Sequence, residues 1–286
     1  MSKQACTLHK NCDRSVWLIG GTSESAKLAS ALLAAHIPFV VTVTTEAARQ
    51  LYPEPTRVVV GQLTPDRMED FVRTYCIGCV LDASHPFASV ISKSAIATVQ
   101  QIEAKNQAIA YIRYERRTVS KGDVQTSAGC DRTLTFESIE TLFDHLQHHK
   151  HRILFTLGYR TLVSYASHIA KLRQKSQLFA RILPSPAAIS AAVAVGFSSK
   201  EIVALRPPIS YDLEKAIWQR WNISCVVAKA SGEASGEIVK RQLAAELDVR
   251  LALLKRPQIT YPHQTEDISQ AVQFCKEQLS SCCYLR

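Results

Sequence analysis

Three short stretches in the first half of the chain hold side chains that could do chemistry. The first is Trp17-Leu18-Ile19-Gly20-Gly21-Thr22-Ser23-Glu24. An apolar run ends in two glycines and opens onto helix-forming sequence. Glycine permits a tight turn and lets a phosphate approach the backbone, and the N–H groups at a helix start attract an anion. Gly20, Gly21, Thr22, Ser23 and Glu24 are therefore candidate holders of a nucleotide pyrophosphate, with the Thr22 and Ser23 hydroxyls as further donors. The full G-x-G-x-x-G pattern is absent, and a plain strand-to-helix turn would also use Gly-Gly. The second stretch closes the next apolar run as Val43-Thr44-Thr45-Glu46, with Arg49 beyond. The Asp or Glu that usually holds a ribose 2′-hydroxyl is missing from that strand end. Thr44, Thr45 and Arg49 suit a 2′-phosphate, which favours NADPH and leaves NADH open. Glu46 counts against this, and Thr45 with Glu46 also reads as an ordinary helix cap. The third stretch is Asp82-Ala83-Ser84-His85-Pro86-Phe87. The proline biases His85 away from helical backbone, which puts the imidazole at the edge of a strand. There it could donate a proton or hold a ribose or nicotinamide. It is the catalytic candidate, with Ser84 and Pro86 beside it as cofactor contacts; the alternative is a structural His bonded to a loop carbonyl.

The second half offers a basic rim. Lys229-Ala230-Ser231-Gly232 lies between a strand and a helix, as does Thr156-Leu157-Gly158-Tyr159-Arg160, while Arg181 and Arg206 close two other strands. Each could be a solvated charge; together they would present cations and exposed N–H groups to an anionic ligand. Arg116, Gly158, Arg160, Arg181, Ser210, Lys229, Ser231 and Gly232 are the substrate-side candidates. Other patterns carry less. Cys76-x-x-Cys79 closes a helix instead of opening one and lacks two further ligands, so both read as reduced core cysteines. His145, His148, His149 and His151 have no carboxylate or cysteine companions, and no metal is expected. Tyr211-x-x-x-Lys215 has the spacing of a short-chain dehydrogenase pair but sits in the wrong half of the chain.

These stretches need a scaffold that brings strand ends together. Between Ser15 and about Glu115, β-branched runs alternate with amphipathic helices, and the alternation resumes after a polar lapse at Lys121–Arg132. Near-continuous apolar strands alternating with helices imply parallel sheets covered on both faces. The reading is two tandem doubly wound α/β domains: an extension over 1–14, a nucleotide-binding domain over 15–120, and a substrate-side domain over 121–286 that includes a last helix at about Glu266–Leu279. Such sheets take ligands at the carboxyl ends of their strands. The 286 residues are 47% apolar and 21% charged, which excludes wholesale disorder. No apolar run has the roughly 18 residues of a membrane span. The start of the chain lacks the apolar stretch of a signal peptide, so a cytoplasmic protein is expected. The formal charge is +9 with the basic residues scattered, apart from a short cluster at Arg113, Arg116 and Arg117. Scatter without an aromatic-interleaved stripe favours a polyanionic small molecule over nucleic acid or membrane. Nothing in the sequence sets the oligomeric state, and a monomer is compatible with it.

In this order, the residues resemble the precorrin-6A reductase and cobalt-precorrin-6A reductase family of cobalamin biosynthesis. The matching stretches are Ile19-Gly20-Gly21-Thr22-Ser23-Glu24, Asp82-Ala83-Ser84-His85-Pro86-Phe87-Ala88, Tyr111-Ile112-Arg113-Tyr114-Glu115-Arg116, Thr156-Leu157-Gly158, Ala180-Arg181-Ile182-Leu183-Pro184, Pro208-Ile209-Ser210, Lys229-Ala230-Ser231-Gly232 and Lys255-Arg256-Pro257. The chain departs from the family pattern at Pro207-Pro208-Ile209, at Ala228, and in the loop after the second strand. The resemblance implies two Rossmann-like domains with the active site in the cleft between them. It also implies hydride transfer from NADPH or NADH to a polycarboxylate tetrapyrrole, with or without cobalt. The alternatives are another NAD(P)-dependent oxidoreductase or epimerase, and a nucleotide-binding module without chemistry.

Overall fold

A computed structural model describes residues 14–119, 132–148, 150–232 and 236–280. Most of the expected N-terminal extension, the polar stretch at the expected domain boundary apart from Arg132, His149 of the histidine group, and residues 233–235 of the loop after Lys229 lie outside the described residues.

In chain order the elements are β1 (Ser15–Ile19), α1 (Ser23–Ala34), β2 (Phe39–Val43), α2 (Glu46–Arg49), β3 (Val58–Val60), α3 (Pro65–Thr74), β4 (Ile77–Asp82), α4 (Ser89–Glu103) and β5 (Ala110–Tyr114). There follow β6 (Thr133–Phe136), α5 (Ile139–Gln147), β7 (Arg152–Phe155), α6 (Tyr159–Ser164), α7 (Ala166–Arg173), β8 (Gln177–Ile182), α8 (Pro186–Ala194), β9 (Ile202–Ala204), α9 (Tyr211–Arg220), β10 (Cys225–Lys229), α10 (Glu237–Glu246) and β11 (Arg250–Leu254). The chain ends with β12 (Gln264–Thr265) and α11 (Ile268–Ser280). Among the described residues no helix is long and apolar enough to cross a membrane.

Two compact units form: the residues up to Arg116 together with those from Gln258 onward, and residues 117–257. The first holds a six-stranded sheet in the order β12-β5-β4-β1-β2-β3, and the second one in the order β6-β11-β10-β7-β8-β9. All pairings are parallel. Both are doubly wound sheets, with the strand order reversing beside β1 in one and beside β7 in the other.

The apolar runs explain the layers. Every residue of β4 is buried, as are Val16 to Ile19 of β1. Leu28 and Leu32 of α1 cover one face of the first sheet with Ala271 and Cys275 of α11. Met68, Phe71 and Val72 of α3 cover the other face with Ala95, Val99 and Ile102 of α4. In the second unit Trp218 of α9 and Leu243 and Ala244 of α10 pack on β7, β10 and β11.

The chain after Pro257 goes to the first unit, whereas its position in the sequence suggests the second. β12 pairs with β5, Gln264 opposite Arg113, and α11 shares a sheet face with α1. A face half covered by one helix accepts a second wherever it comes from in the chain. β6 and β12 have no clear sequence signal: both are short edge strands, made extended by the neighbour they pair with. Cys79 is a buried free thiol 3.8 Å from the Cys275 sulfur, as expected of a core cysteine. Cys76 is disulfide-bonded and not reduced.

Candidate active site

The switch point of the first sheet lies between β1 and β4, where the strand order reverses and a crevice opens beyond the carboxyl ends. The sequence sends its glycine turn to one wall and its histidine turn to the other. Gly21 has φ 98°, a conformation side chains resist, and a Cβ there would meet nothing within 4 Å. The turn is therefore open to a ligand. Gly20 has the opposite reason for being glycine, since any Cβ would collide with the Tyr52 hydroxyl. Thr22 is the N-cap of α1, in a capping box with Ser25. Its hydroxyl accepts from Ser25 N at 3.1 Å and donates to Ala83 O at 2.9 Å, tying the turn to the end of β4. Thr22 thus turns inward, and its hydroxyl is committed to the fold, contrary to its expected phosphate-facing role. The groups left to an anion are the first-turn N–H groups of Ser23 and Glu24, which have no intrahelical acceptor. Ser23 is exposed and its hydroxyl donates to Glu24 at 3.1 Å. The Glu24 carboxylate is paired at 2.7 Å with Arg116, so this substrate-side candidate sits in the first unit beside the glycine turn.

The histidine turn stands on a buried polar network. Asp82 ends β4 with a fully buried side chain, accepting from Ser84 N at 2.9 Å, Arg113 Nη1 at 2.9 Å, Tyr111 OH at 2.7 Å and Ser92 Oγ at 2.5 Å. Arg113, 1% exposed, also donates to Glu115 at 2.9 Å and to Ser84 Oγ at 3.0 Å, and its guanidinium lies over the Tyr261 ring. Burial opposes the Arg113 charge, but Asp82 and Glu115 outweigh it and the guanidinium is held protonated. Burial and the Asp82 charge push the Tyr111 phenol up, so it stays a donor. Arg113 is accordingly a core ion pair and not part of an exposed basic cluster. Ser84 is gripped at both its N–H and its hydroxyl, which fixes the residue before His85. The half-buried His85 accepts the Phe87 N–H on Nδ1 at 3.2 Å. In the neutral ring the proton is then on Nε2. Asp82 and Arg113 were detectable as charges inside apolar strands; no local pattern singles out Tyr52.

At the end of β2, Thr44 is exposed and Thr45 caps α2, accepting from Ala48 N at 3.3 Å. Arg49 pairs with Glu46 at 2.8 Å and donates to Val58 O at 3.1 Å, while remaining 49% exposed. The capping alternative describes Thr45 and Glu46.

The second unit repeats the geometry at its own switch point between β7 and β10. Gly158, at φ 84°, caps α6 and is exposed with Arg160. Lys229 ends β10 with its ammonium 3.2 Å from Thr161 Oγ1, and burial lowers its pKa. The neighbouring N–H groups are not exposed as expected: Ser231 N donates to Lys229 O at 2.8 Å and Gly232 N to the Glu237 carboxylate at 2.9 Å. Arg181 is paired with the buried Glu214, which also accepts from Trp218 Nε1 at 3.1 Å. Lys240, 4% exposed, lies near both glutamates; burial and Arg181 bring its pKa down to about 8. Ser210 is the exposed N-cap of α9, and Arg206 is exposed. Lys215 of the Tyr-x-x-x-Lys spacing is bonded to Glu246.

A family model described as precorrin-6x reductase CbiJ/CobK matches residues 15–276. The cobalt-precorrin-6A reductase of Synechocystis sp. is 43% identical over 269 residues, covering 93% of this chain and 97% of that protein. The enzyme of the same name from Priestia megaterium is 29% identical, covering 86% and 92%. The solved structure of CobK precorrin-6A reductase superposes with a TM-score of 0.72 at 18% identity, covering 93% of this chain and 97% of that one, a likeness of fold.

Proposed function

Because the chain belongs to the precorrin-6x reductase CbiJ/CobK family, and so is an oxidoreductase of cobalamin biosynthesis that uses a nicotinamide cofactor, we propose that it reduces precorrin-6A or its cobalt form with NADPH. The observation that carries the residue assignment is the meeting of the open Gly21 turn and the His85 turn at one switch point. The glycine turn fits a pyrophosphate: the space over Gly21 is empty and the first-turn N–H groups point to where an anion would be held. Thr44, Thr45 and Arg49 stand at the strand end that would take the adenosine side, with Arg49 free to leave its exposed pair with Glu46 for a 2′-phosphate. When bound, the reduced nicotinamide supplies the hydride.

The remaining work belongs to the chain's own groups. His85, with Nε2–H as a donor, holds the nicotinamide or substrate, or acts from its imidazolium form to pass a proton to the reduced ring and return to the neutral imidazole. The Asp82–Arg113 pair fixes the turn that carries it. In the second unit Arg160, Lys229 and Ser210 take carboxylates of the tetrapyrrole, with Gly158 leaving room for the ring. Arg181, Ser231 and Gly232 act from behind by holding the loops. A polyanionic substrate is matched by the +9 formal charge. The reading takes the enzyme as a cytoplasmic monomer with neither nucleic acid nor membrane as partner.

The test is a cofactor-oxidation assay on metal-free and cobalt precorrin-6A, each with NADPH and with NADH. NADPH consumption that depends on the tetrapyrrole is expected; consumption with neither tetrapyrrole refutes the reading.

A further inference from the structure

A G-x-G-x-x-G turn uses its third glycine to pack helix against strand and its second to bring backbone close to the pyrophosphate. Counted from Gly20, those two places hold Thr22 and Ser25. Ser25 is fully buried. Its hydroxyl donates to Thr22 O at 2.7 Å and accepts from Thr22 N at 3.0 Å. The Tyr52 hydroxyl, 9% exposed as a residue, sits 2.6 Å from Ser25 Oγ and accepts the Gly21 N–H at 2.7 Å. Since the Ser25 proton is spent on Thr22 O, the Tyr52 proton goes to Ser25, and each hydroxyl hydrogen has one acceptor. Burial raises the Tyr52 pKa, which keeps that proton in place. Tyr52 comes from just beyond α2, where its own N–H donates to Arg49 O at 3.2 Å. One side chain therefore joins the glycine turn to the segment bearing Thr45 and Arg49.

We propose that Tyr52, acting through Ser25 and Gly21 N, is a positioning residue for the dinucleotide. It holds the turn in its open shape and sets its distance from the adenosine-side segment. This rests on the cofactor reading above. Tyr52→Phe would leave the part-buried Gly21 N–H without its acceptor and take from the Ser25 hydroxyl one of its two donors, the other being Thr22 N. The turn would then relax, and the dinucleotide would have to order it on binding.

The test is direct titration of the whole protein, without turnover, using two probes: NADPH, followed by nicotinamide fluorescence, and 2′-AMP, which lacks the pyrophosphate. Tyr52→Phe is expected to raise the NADPH Kd about tenfold, the scale of one lost buried hydrogen bond, and the 2′-AMP Kd far less. Ser25→Ala should shift both in the same direction, so the inference does not depend on one variant. Gly21→Val serves as the marker of the site itself. If Gly21→Val weakens NADPH while Tyr52→Phe and Ser25→Ala do not, the positioning role is overturned and the cofactor site stands. Equal weakening of both probes by Tyr52→Phe would also overturn it, since general loosening does that. If a folded Gly21→Val binds NADPH normally, the cofactor reading falls and this inference with it.

Discussion

Replacing Arg113 with methionine tests whether the histidine turn rests on a buried ion pair. Methionine keeps much of the volume and removes the charge. Asp82 then retains Ser84 N, Ser92 and Tyr111 as donors but has lost the cation at 2.9 Å, with its side chain fully buried. Glu115 loses the same partner. Removing one member of a buried pair leaves an uncompensated charge and costs about 3–5 kcal/mol. For a domain of this size that lowers Tm by roughly 6–20 °C. Scanning calorimetry reads it. The pairing argument makes a second demand: adding Asp82→Asn to Arg113→Met should return a large part of the loss, because the stranded charge is gone. Turnover should stay low in the double variant, since Ser84 Oγ still lacks the guanidinium that fixed it. A loss of under about 1 kcal/mol for Arg113→Met, the range of exposed pairs, would refute the reasoning. So would a double variant less stable than the single one.

His85→Ala should lower turnover about 10²-fold with little change in Tm, and His85→Asn, whose oxygen can accept the Phe87 N–H, should recover part of it; wild-type turnover in His85→Ala would remove His85 from the site. Arg49→Ala should cost little stability, because the pair with Glu46 is exposed, yet weaken NADPH roughly 10-fold or more while sparing NADH; equal effects on both would show that no 2′-phosphate is bound there. Lys229→Ala should raise the KM for the tetrapyrrole and leave the cofactor Kd alone, with a penalty that shrinks as salt rises; the reverse pattern would exchange the roles of the two units. For Lys240 the folded pKa of about 8 lies below the ordinary lysine value, so the unfolded chain binds the extra proton between these two pH values. Wild type should therefore gain stability on Lys240→Met from about pH 8 to pH 10, by about 3 kcal/mol at most, and denaturant unfolding of both proteins that runs parallel across that window would contradict it.

Much of this protein is set by short-range chemistry that a linear reading can follow. Apolar runs and helical periodicity mark β1 through β5 and β7 through β11, because burial on both faces of a parallel sheet requires them residue by residue. Gly20-Gly21 ending a strand and His85 ahead of Pro86 are local signals too, since backbone freedom and its loss act on immediate neighbours. What tertiary structure alone decides depends on partners far along the chain. Arg113 stands out as a charge inside an apolar strand, but its pairing with Asp82 and Glu115 is settled only when the strands come side by side. Thr22 looks ready to face a phosphate until Ala83 O takes its proton, and the Ser231 and Gly232 N–H groups look open until Lys229 O and Glu237 accept them. Tyr52 reaches Gly21 across 31 positions, and α11 covers the sheet of the first unit from the far end of the chain. Such contacts are chosen by which buried donor, charge or apolar face still lacks a partner once the sheet has formed, and spacing along the sequence holds no record of that choice.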